Sequence, residues 1–313
     1  MPLKITFCGT PAFAVPSLVR LAAESDFSVA GVVTQPDRPA GRAGAMKSSP
    51  VKLAAQERGI PVFQPERIRS EESLRYFQRA GADVVVIIAY GQIISEKLIA
   101  VPRLGWINVH GSLLPKYRGA APIHWAIANG ETHTGLTTMQ IDRGLDTGPT
   151  LQRYETQIAP NETSPDLYER LADAAAPLIV ETLRGLAAGK LTPVAQDNSQ
   201  ATFAPVLNKE DGRIDWSRTS SEIYNRMRGF QPWPGAFSTF RGKLCAIWGK
   251  PAAETFPDSH EGSIVQQNGK VLVACGQSTS LQLETAQIEG RKHVTAREFA
   301  NGARLAADEI FGT

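Results

Sequence analysis

The chain has 313 residues, enough for one large domain or two ordinary domains with a sizeable core. Hydrophobic residues make up 42% of it and charged residues 20%, a composition that excludes an intrinsically disordered chain. The formal net charge is only +2, so any contact with the phosphates of a nucleic acid has to come from local basic patches.

The cysteines and the apolar runs indicate the compartment. Cys8, Cys245 and Cys275 are few, odd in number and far apart, so neither a disulfide framework nor a thiolate metal cluster is expected. No apolar run is long enough to span a bilayer, and the first residues lead into a strand-like stretch without a signal-peptide pattern. We therefore expect a cytoplasmic protein with no membrane partner. We also expect a monomer, because no apolar surface stripe suggests a partner subunit.

Strands and helices alternate through the first half of the chain. Residues 83–89 are the clearest strand, because a continuous apolar run is typical of a parallel strand buried on both faces. Apolar residues at helical spacing mark the segments between the strands. This alternation predicts a Rossmann-like α/β fold with an open parallel sheet, in which ligands bind at the carboxyl ends of the strands. The predicted strands are 3–8, 27–34, one that begins at 62–63, 83–89 and 106–110, and the predicted helices are 14–23, 51–58 and 73–79.

The turn after the first strand reads Gly9-Thr10-Pro11 and contains a single glycine. A dinucleotide-binding fingerprint needs G-x-G-x-x-G at this place. The parallel sheet therefore does not imply NAD as a cofactor.

The second half has a different pattern. Residues 193–205 are polar and have no clear period, which predicts a linker between domains. A single helix is predicted at 220–228, and the turn Asn268-Gly269 is a strong hairpin signal. We expect a Rossmann-like domain at 1–192 and a small OB-like β-barrel domain at 206–313. The predicted strands of the second domain are 236–240, 243–248, 262–267, 270–275 and 280–286.

Asn108 and His110 are the first candidates for chemistry. They lie two residues apart at the end of a predicted strand, so their side chains point to the same face, and a loop rich in Gly and Pro follows. An Asn amide can donate to a developing oxyanion, and a His can donate or transfer a proton near neutral pH. The pair suits acyl chemistry at a carbonyl. Taken alone, it is also compatible with two residues that only fix the loop.

A second polar cluster contains Asp142 and Asp146 in a glycine-rich turn. One of these carboxylates could orient His110 or take a proton from an incoming amine. The alternative is an ordinary turn in which Asp side chains bind the local backbone.

Together these segments resemble the folate-dependent formyltransferases. The resemblance is carried by Asn108-x-His110, followed by Ser-Leu-Leu-Pro and Arg-Gly-Ala-Ala-Pro, with Gly-Leu-Asp146-Thr-Gly downstream. It covers nearly the whole chain, its motifs occur in the right order, and it is weakest over 255–313. Further segments narrow it to the methionyl-tRNA formyltransferases: Gly9-Thr10-Pro11, 34–42, 49–52, 89–91, 213–216 and 230–234.

The resemblance implies an enzyme that moves the formyl group of 10-formyltetrahydrofolate to the amino group of methionine on initiator methionyl-tRNA. Asn108 and His110 would stabilise the oxyanion of a tetrahedral intermediate. Asp146, through a water molecule or directly, would help to move protons from the amine to the departing folate nitrogen. This mechanism needs no metal. The resemblance also implies a folate site lined by Ser112, Leu113, Leu114, Pro115, Ile87, Ala89, Tyr90 and Asp142.

The long loop 35–52 carries four basic residues against Asp37 alone. By charge alone it could be a solvated loop, but in the family this segment contacts RNA, so we expect it to bind phosphates of the tRNA acceptor stem. The stretch 43–46 is less basic than the family pattern. The expected tRNA contacts are Arg38, Arg42, Lys47 and Lys52.

Two alternatives remain open at this point. One is another formyl-folate enzyme, such as a glycinamide ribonucleotide or amino-sugar formyltransferase or a formyl-folate hydrolase. The second domain and the loop 35–52 argue against the glycinamide ribonucleotide type. The other is a non-catalytic RNA-binding protein on a former enzyme scaffold, against which Asn108, His110 and Asp146 argue because all three are present.

Overall fold

The computed structural model describes residues 1–40, 45–306 and 309–312. The chain forms two compact units, and each is described by itself. The first unit comprises Met1–Pro122, His133–Gln157 and Asp166–Pro205. The second comprises Ile123–Thr132, Ile158–Pro165 and Val206–Thr313.

Eleven strands and six α-helices lie before residue 205 in the described part of the chain. The strands are β1 Leu3–Gly9, β2 Phe27–Val33, β3 Arg38–Ala40, β4 Ala45–Lys47, β5 Val62–Phe63, β6 Val84–Ile88, β7 Trp106–His110, β8 Arg118–Gly119, β9 His133–Gln140, β10 Thr150–Gln157 and β11 Phe203–Ala204. The helices are α1 Val15–Ala23, α2 Pro50–Gln56, α3 Glu71–Ala80, α4 Glu96–Ile99, α5 Pro122–Ala128 and α6 Ser164–Ala187.

The first unit is built on a seven-stranded sheet of order β10-β9-β7-β6-β1-β2-β5. The strands from β7 to β5 pair in parallel, and β6 lies near the centre with every residue buried. Burial of β6 on both faces is what its run of Val and Ile requires. The Rossmann-like fold expected from the sequence is confirmed, and the strand ends that carry the candidate residues lie at its middle.

The sheet also contains two antiparallel strands that were not predicted from the sequence. β9 runs antiparallel to β7, and β10 runs antiparallel to β9 at the edge. Antiparallel strands at the edge of a mostly parallel sheet are common. β10 is largely exposed and polar, as an edge strand that faces water can be. The pairing of β9 with β7 brings the loop between β9 and β10 to the candidate site.

The second unit is centred on an antiparallel sheet of order β12-β13-β16-β15-β14, with β17 paired to β16. Its core contains stacked or tilted aromatic rings, among them Phe240, Phe299 and Phe311, with Trp216 beside them. The expectation of a small OB-like β domain is confirmed. Its elements are α7 Ser220–Gly229, β12 Phe237–Phe240, β13 Lys243–Ala252, β14 Ile264–Gln267, β15 Lys270–Ala274, β16 Ser280–Ile288, β17 Val294–Thr295 and α8 Ala296–Ala303.

The hairpin predicted from Asn268-Gly269 joins β14 to β15. Both turn residues have positive φ, 51° for Asn268 and 74° for Gly269. A two-residue turn of this kind suits the right-handed twist of the strands, which is why Asn-Gly favours it.

Across the described part of the chain, no helix has both the length and the apolar character needed to cross a membrane.

Candidate active site

Asn108 and His110 lie on β7, between β6 and β9. In the sheet, Asn108 pairs with Ile87 of β6 and Met139 of β9, and His110 pairs with Thr137. Their spacing puts both side chains on one face of the sheet. His110 is only 5% exposed, whereas Asn108 is half-buried.

Asp146 reaches this face from the loop between β9 and β10. Its Oδ2 lies 3.6 Å from Nδ1 of His110, and the same oxygen accepts a hydrogen bond of 2.8 Å from the backbone N–H of Gly119. Asp146 has a φ of 53°, in the left-handed region that few non-glycine residues adopt. The chain therefore holds this carboxylate beside the histidine in a conformation that has a local cost.

The other ring nitrogen of His110 is already bonded. Nε2 lies 2.9 Å from the carbonyl oxygen of Tyr117. A carbonyl oxygen only accepts, so Nε2 donates this bond and carries a proton. Nδ1 is consequently the nitrogen that faces Asp146, at a distance longer than a hydrogen bond.

The side-chain amide of Asn108 differs in its hydrogen bonding from His110 and Asp146. No described residue forms a hydrogen bond with this side chain, and it is not fully buried. An amide beside a His and a carboxylate, with its donors uncommitted, can bind an oxygen of a substrate.

The loop 111–117, which follows β7, is fixed by hydrogen bonds to Thr137 of β9 and by one within the loop. Thr137 Oγ1 donates to the carbonyl oxygen of Ser112 at 2.7 Å and accepts from the N–H of Leu114 at 3.1 Å. Ser112 is fully buried, and its Oγ donates to the carbonyl of Lys116 at 2.6 Å. The Leu114–Pro115 peptide bond is cis. This loop contains the four residues expected to line a folate site, and that role stays a prediction.

Three other expected folate residues lie on β6 or just after it, and they differ in burial. Ile87 is the neighbour of Asn108 across the sheet, and Ala89, with a φ of 48°, is exposed just beyond β6. The ring of Tyr90 is buried in the core, and burial raises the pKa of its hydroxyl well above the usual range. Its carbonyl oxygen accepts from Gln35 Nε2 at 3.0 Å. Tyr90 therefore offers backbone, not its hydroxyl, to any ligand at this edge.

Asp142 stabilises the turn that holds Asp146. Its Oδ1 accepts from the N–H of Gly144 at 3.0 Å and from the hydroxyl of Thr147 at 2.7 Å. These are the contacts of the ordinary turn that the sequence left open for this pair of acids. The structure thus separates the two: Asp142 bonds within its own loop, and Asp146 faces His110.

A cleft of ≈ 720 Å³ opens at the carboxyl ends of β1 and β2. Arg38, Lys47 and Gly91 are among the residues that line it. Both basic side chains are exposed, and neither forms an ion pair with a residue that the structure describes. Asn108, His110 and Asp146 do not line this cleft. Its other lining residues include Thr10, Gln35 and Ser49.

Lys52 and Arg42, the other two expected tRNA contacts, differ from Arg38 and Lys47, which are exposed and form no ion pair with a described residue. The Nζ of Lys52 lies 2.5 Å from Oδ2 of Asp37, and its side chain is only 17% exposed. Lys52 and, after it, Gln64 lower the pKa of the Asp37 carboxyl from its ordinary value. Lys52 therefore fixes the base of the loop 35–52 to α2. Arg42 lies outside the residues that the structure describes.

Three residues that hold the site in place were not identified from the sequence. Gly119 holds the Asp146 carboxylate, Thr137 holds the loop after β7, and Gln196 holds the backbone of the Asp146 loop. Gly119 had a signal, because it lies in the Arg-Gly-Ala-Ala-Pro motif. Gln196 had none, since it lies in the polar stretch without a period. Within the described residues, no three His, Cys, Asp or Glu side chains are grouped so that they could hold a metal ion.

Comparison with known proteins shows the family to which the chain is similar. The family model described as Formyl transferase matches residues 3–183, and the one described as Formyl transferase, C-terminal domain, matches residues 206–304. A methionyl-tRNA formyltransferase from Solibacter usitatus is 50% identical over 310 residues, 99% of this chain and 99% of that protein. Another, from Acidobacterium capsulatum, is 47% identical over 311 residues, 99% of this chain and 100% of that protein.

A solved structure shows the same fold at much lower identity. An N-formyltransferase from Helicobacter canadensis, in complex with folinic acid and dTDP-3-aminofucose, has a TM-score of 0.66 and 20% sequence identity. The match covers 90% of this chain and 99% of that chain. The likeness therefore extends through both units.

Proposed function

This chain belongs to the formyltransferase family and, within it, to the methionyl-tRNA formyltransferases, and we propose that Asn108, His110 and Asp146 are its catalytic residues. The enzyme transfers the formyl group of 10-formyltetrahydrofolate to the α-amino group of methionine on initiator methionyl-tRNA. The observation that supports the three residues most directly is the approach of Asp146 to His110, beside an amide with uncommitted donors.

Asn108 and His110 act on the carbonyl oxygen of the formyl group. When the amine attacks the formyl carbon, the C=O bond opens and this oxygen becomes negatively charged. The Asn108 amide donates to it. Nδ1 of His110 donates as well, because Nε2 is bonded to Tyr117 and both nitrogens are donors in the imidazolium form. Donors already in place at a developing oxyanion stabilise the transition state more than the ground state.

Asp146 balances the positive charge of the His110 imidazolium and transfers a proton during the reaction. The attacking amine becomes positively charged as the new C–N bond forms, and it must lose a proton to give the amide product. The Asp146 carboxylate receives this proton, directly or through a water molecule. As the C=O bond re-forms and the bond between the formyl carbon and N10 of the folate breaks, Asp146 gives the proton that it received to N10, which leaves as the neutral amine of tetrahydrofolate. Proton gain and loss are thus equal over the cycle.

The folate co-substrate is proposed to lie along the strand ends beside these residues. The lining we propose consists of the fixed loop Ser112, Leu113, Leu114 and Pro115, with backbone at Ile87, Ala89 and Tyr90 and with Asp142 in the facing loop. Strand-end N–H and C=O groups suit the edges of a flat heteroaromatic ring. The hydrogen bonds of Thr137 support this role, because they keep the loop in one shape.

The charged tRNA is proposed to be held by the loop 35–52 and by the second domain. Arg38 and Lys47 are the exposed cations that support this role at the cleft, and Arg42 is proposed from the family pattern. Lys52 contributes by holding the base of the loop through Asp37. We propose a catalytic domain at 1–192, a connecting segment at 193–205 and a tRNA-binding domain at 206–313.

We propose that the enzyme works in the cytoplasm as a monomer. The three cysteines are free and buried, which supports a reducing compartment. Size-exclusion chromatography with light scattering gives the molar mass in solution, and a value near 33.8 kDa is expected. A dimer mass would contradict the second part of this proposal.

The function is tested by offering acceptors in parallel to one preparation of enzyme. Purified protein is mixed with formyl-labelled 10-formyltetrahydrofolate and either initiator methionyl-tRNA, free methionine, an amino-sugar nucleotide or water alone. We expect label to move to the charged tRNA only. Label on the amino-sugar nucleotide would identify a sugar formyltransferase, and formate without an acceptor would identify a hydrolase. Tight tRNA binding without transfer would indicate a non-catalytic RNA-binding protein.

A further inference from the structure

The backbone of the Asp146 loop is held by a residue far away in the sequence. Nε2 of Gln196 donates to the carbonyl oxygen of Asp146 at 2.8 Å and to that of Gly148 at 2.7 Å. One side-chain amide thus uses both of its hydrogens on a single loop. Asp146, whose carbonyl accepts one of these hydrogen bonds, has a φ of 53°. This conformation persists only where the surroundings enforce it.

The orientation of the Gln196 amide is set from its other end. Its Oε1 accepts from Nε and Nη2 of Arg118 at 3.1 and 2.8 Å. Arg118 is only 4% exposed, and its Nη2 also donates to Oδ1 of Asn198 at 2.8 Å. A guanidinium only donates, so the oxygen of Gln196 must face it and the NH2 group must face the Asp146 loop.

The residues on both sides of Arg118 touch the catalytic pair. The carbonyl of Tyr117 accepts from Nε2 of His110, and the N–H of Gly119 donates to the carboxylate of Asp146. Strand β8 pairs in parallel with β11, and the N–H of Arg118 donates to the carbonyl of Thr202 at 2.9 Å. The segment 194–204 therefore pairs with the short strand β8, and the residues at β8 contact His110 and Asp146.

We propose that Gln196 is a positioning residue for formyl transfer: it couples Arg118 to the backbone of Asp146 and so keeps that carboxylate facing His110. The proposal rests on the function proposed above, and it gives the segment 193–205 a role in the active site in addition to connecting two domains. The side chain of Gln196 itself contacts neither substrate in this account. It acts on the rate of the chemical step and not on substrate binding.

The sharpest variant is Gln196→Glu. Glu has the same shape and keeps oxygen acceptors for Arg118, but it cannot donate to the carbonyls of Asp146 and Gly148. If Gln196 only supplied a hydrogen-bond acceptor for the buried Arg118, this variant would be as stable and as active as the parent. If it positions Asp146, kcat falls by about 10- to 100-fold, because a small misplacement of a catalytic group has effects of that size. The KM values for the folate and for methionyl-tRNA stay within about twofold.

The matched control is Gln200→Glu, which makes the same charge change in the same segment. Gln200 is exposed, and the hydrogen bond found for its side chain is to Asp197. A second variant, Gln196→Met, removes all the polar contacts while keeping the length, and thermal melts show whether each protein is folded. A kcat near the parent value in Gln196→Glu, or an equal loss in the Gln200→Glu control, would overturn the proposal. If Gln196→Glu does not fold, a folded Gln196→Met with unchanged kcat overturns it equally.

This result is independent of the proposed function itself. The parent enzyme shows whether formyl transfer to methionyl-tRNA occurs, and the variants show whether Gln196 sets its rate. Absence of transfer in the parent refutes the function, whereas transfer in the parent with parent-like variants refutes only the positioning role.

Discussion

Nδ1 of His110 and Oδ2 of Asp146 lie 3.6 Å apart, although one residue ends a central strand and the other belongs to a loop beyond β9. They meet because β9 pairs antiparallel with β7 and returns the chain to the same sheet edge. Gly119 completes the arrangement by donating its N–H to the same carboxylate oxygen. The charge of Asp146 is thus fixed by a backbone donor and directed at the histidine.

Removing either oxyanion donor is expected to slow the chemical step. His110→Ala and Asn108→Ala should each lower kcat by about 100-fold or more, which corresponds to about 3 kcal/mol of transition-state stabilisation. The KM values should change little, because these groups act mainly in the transition state. Steady-state kinetics with both substrates varied measures kcat and the two KM values separately. His260→Ala, at an exposed position in the second domain, is the control, and a near-parent rate in His110→Ala would remove that residue from the mechanism.

Gly119 is expected to tolerate no side chain. Its φ is 124°, and a Cβ would lie 2.6 Å from the carbonyl oxygen of Ala204. Gly119→Ala should therefore lower the melting temperature through strain of about 1–3 kcal/mol and also lower kcat, since the donor to Asp146 moves. Gly189→Ala is the control, because Gly189 also has a positive φ, 65°, but no atom lies within 4 Å of the new Cβ. That variant should lose some stability and no activity. Equal activity in the two variants contradicts the role of Gly119.

The exposed cations at the cleft are expected to act on tRNA and not on folate. The double variant Arg38→Ala and Lys47→Ala should raise the KM for methionyl-tRNA and leave the KM for the folate unchanged. The slope of log K against log salt should fall by about 1 for each phosphate contact that is lost. Lys190→Ala, at an exposed position near the end of α6, serves as the control. A salt slope identical to the parent would show that these two residues contact no phosphate.

The buried thiols make stability depend on alkaline pH. Burial raises the pKa of Cys245 to about 11 and that of Cys275 to about 12. Above the ordinary thiol pKa of about 8.5, the unfolded chain loses these protons and the folded chain keeps them. The stability due to the neutral thiols is therefore complete below that pH and decreases as pH rises, by at most about 1.4 kcal/mol per pH unit for each thiol. Melting temperatures between pH 7.5 and 10 measure the slope.

Replacing the two thiols tests this cause. The variant with Cys245→Ala and Cys275→Ala should show a shallower decline of melting temperature with pH than the parent, whatever its stability at pH 7.5. Native protein should also leave Ellman's reagent unreacted at pH 8, while unfolded protein exposes all 3 cysteines. Parallel pH curves for parent and variant would show that other groups cause the decline.

The sequence predicts well those elements whose pattern is local. The apolar run of β6, the pair Asn108 and His110 at the end of β7, and the Asn268-Gly269 hairpin all occur where their residues predict them. Each depends on neighbours within a few positions: burial on both faces, a spacing of two, or positive φ in a two-residue turn. The resemblance to the formyltransferases adds the family, because its motifs are long and ordered.

What the sequence does not reveal depends on contacts between distant segments. The antiparallel strands β9 and β10 were not predicted. The direction of a strand relative to its neighbour in the sheet is not encoded in a local sequence pattern. The hydrogen bonds from Gln196 to Asp146 and Gly148 span 50 and 48 positions, from a stretch that predicts only a linker. Lys52, predicted to contact phosphate, pairs with Asp37, whose presence in the loop was known but whose position was not.

The most direct measurement of the catalytic assignment is single-turnover formyl transfer by Asp146→Asn. Asn keeps an oxygen that can accept from Gly119 but removes the charge that faces His110 and the base that takes the amine proton. With enzyme in excess over labelled 10-formyltetrahydrofolate and saturating methionyl-tRNA, we expect the transfer rate to fall by about 100-fold or more while tRNA binding is unchanged. A transfer rate within about threefold of the parent would contradict a catalytic role for the His110–Asp146 pair, since an essential proton acceptor contributes far more than that.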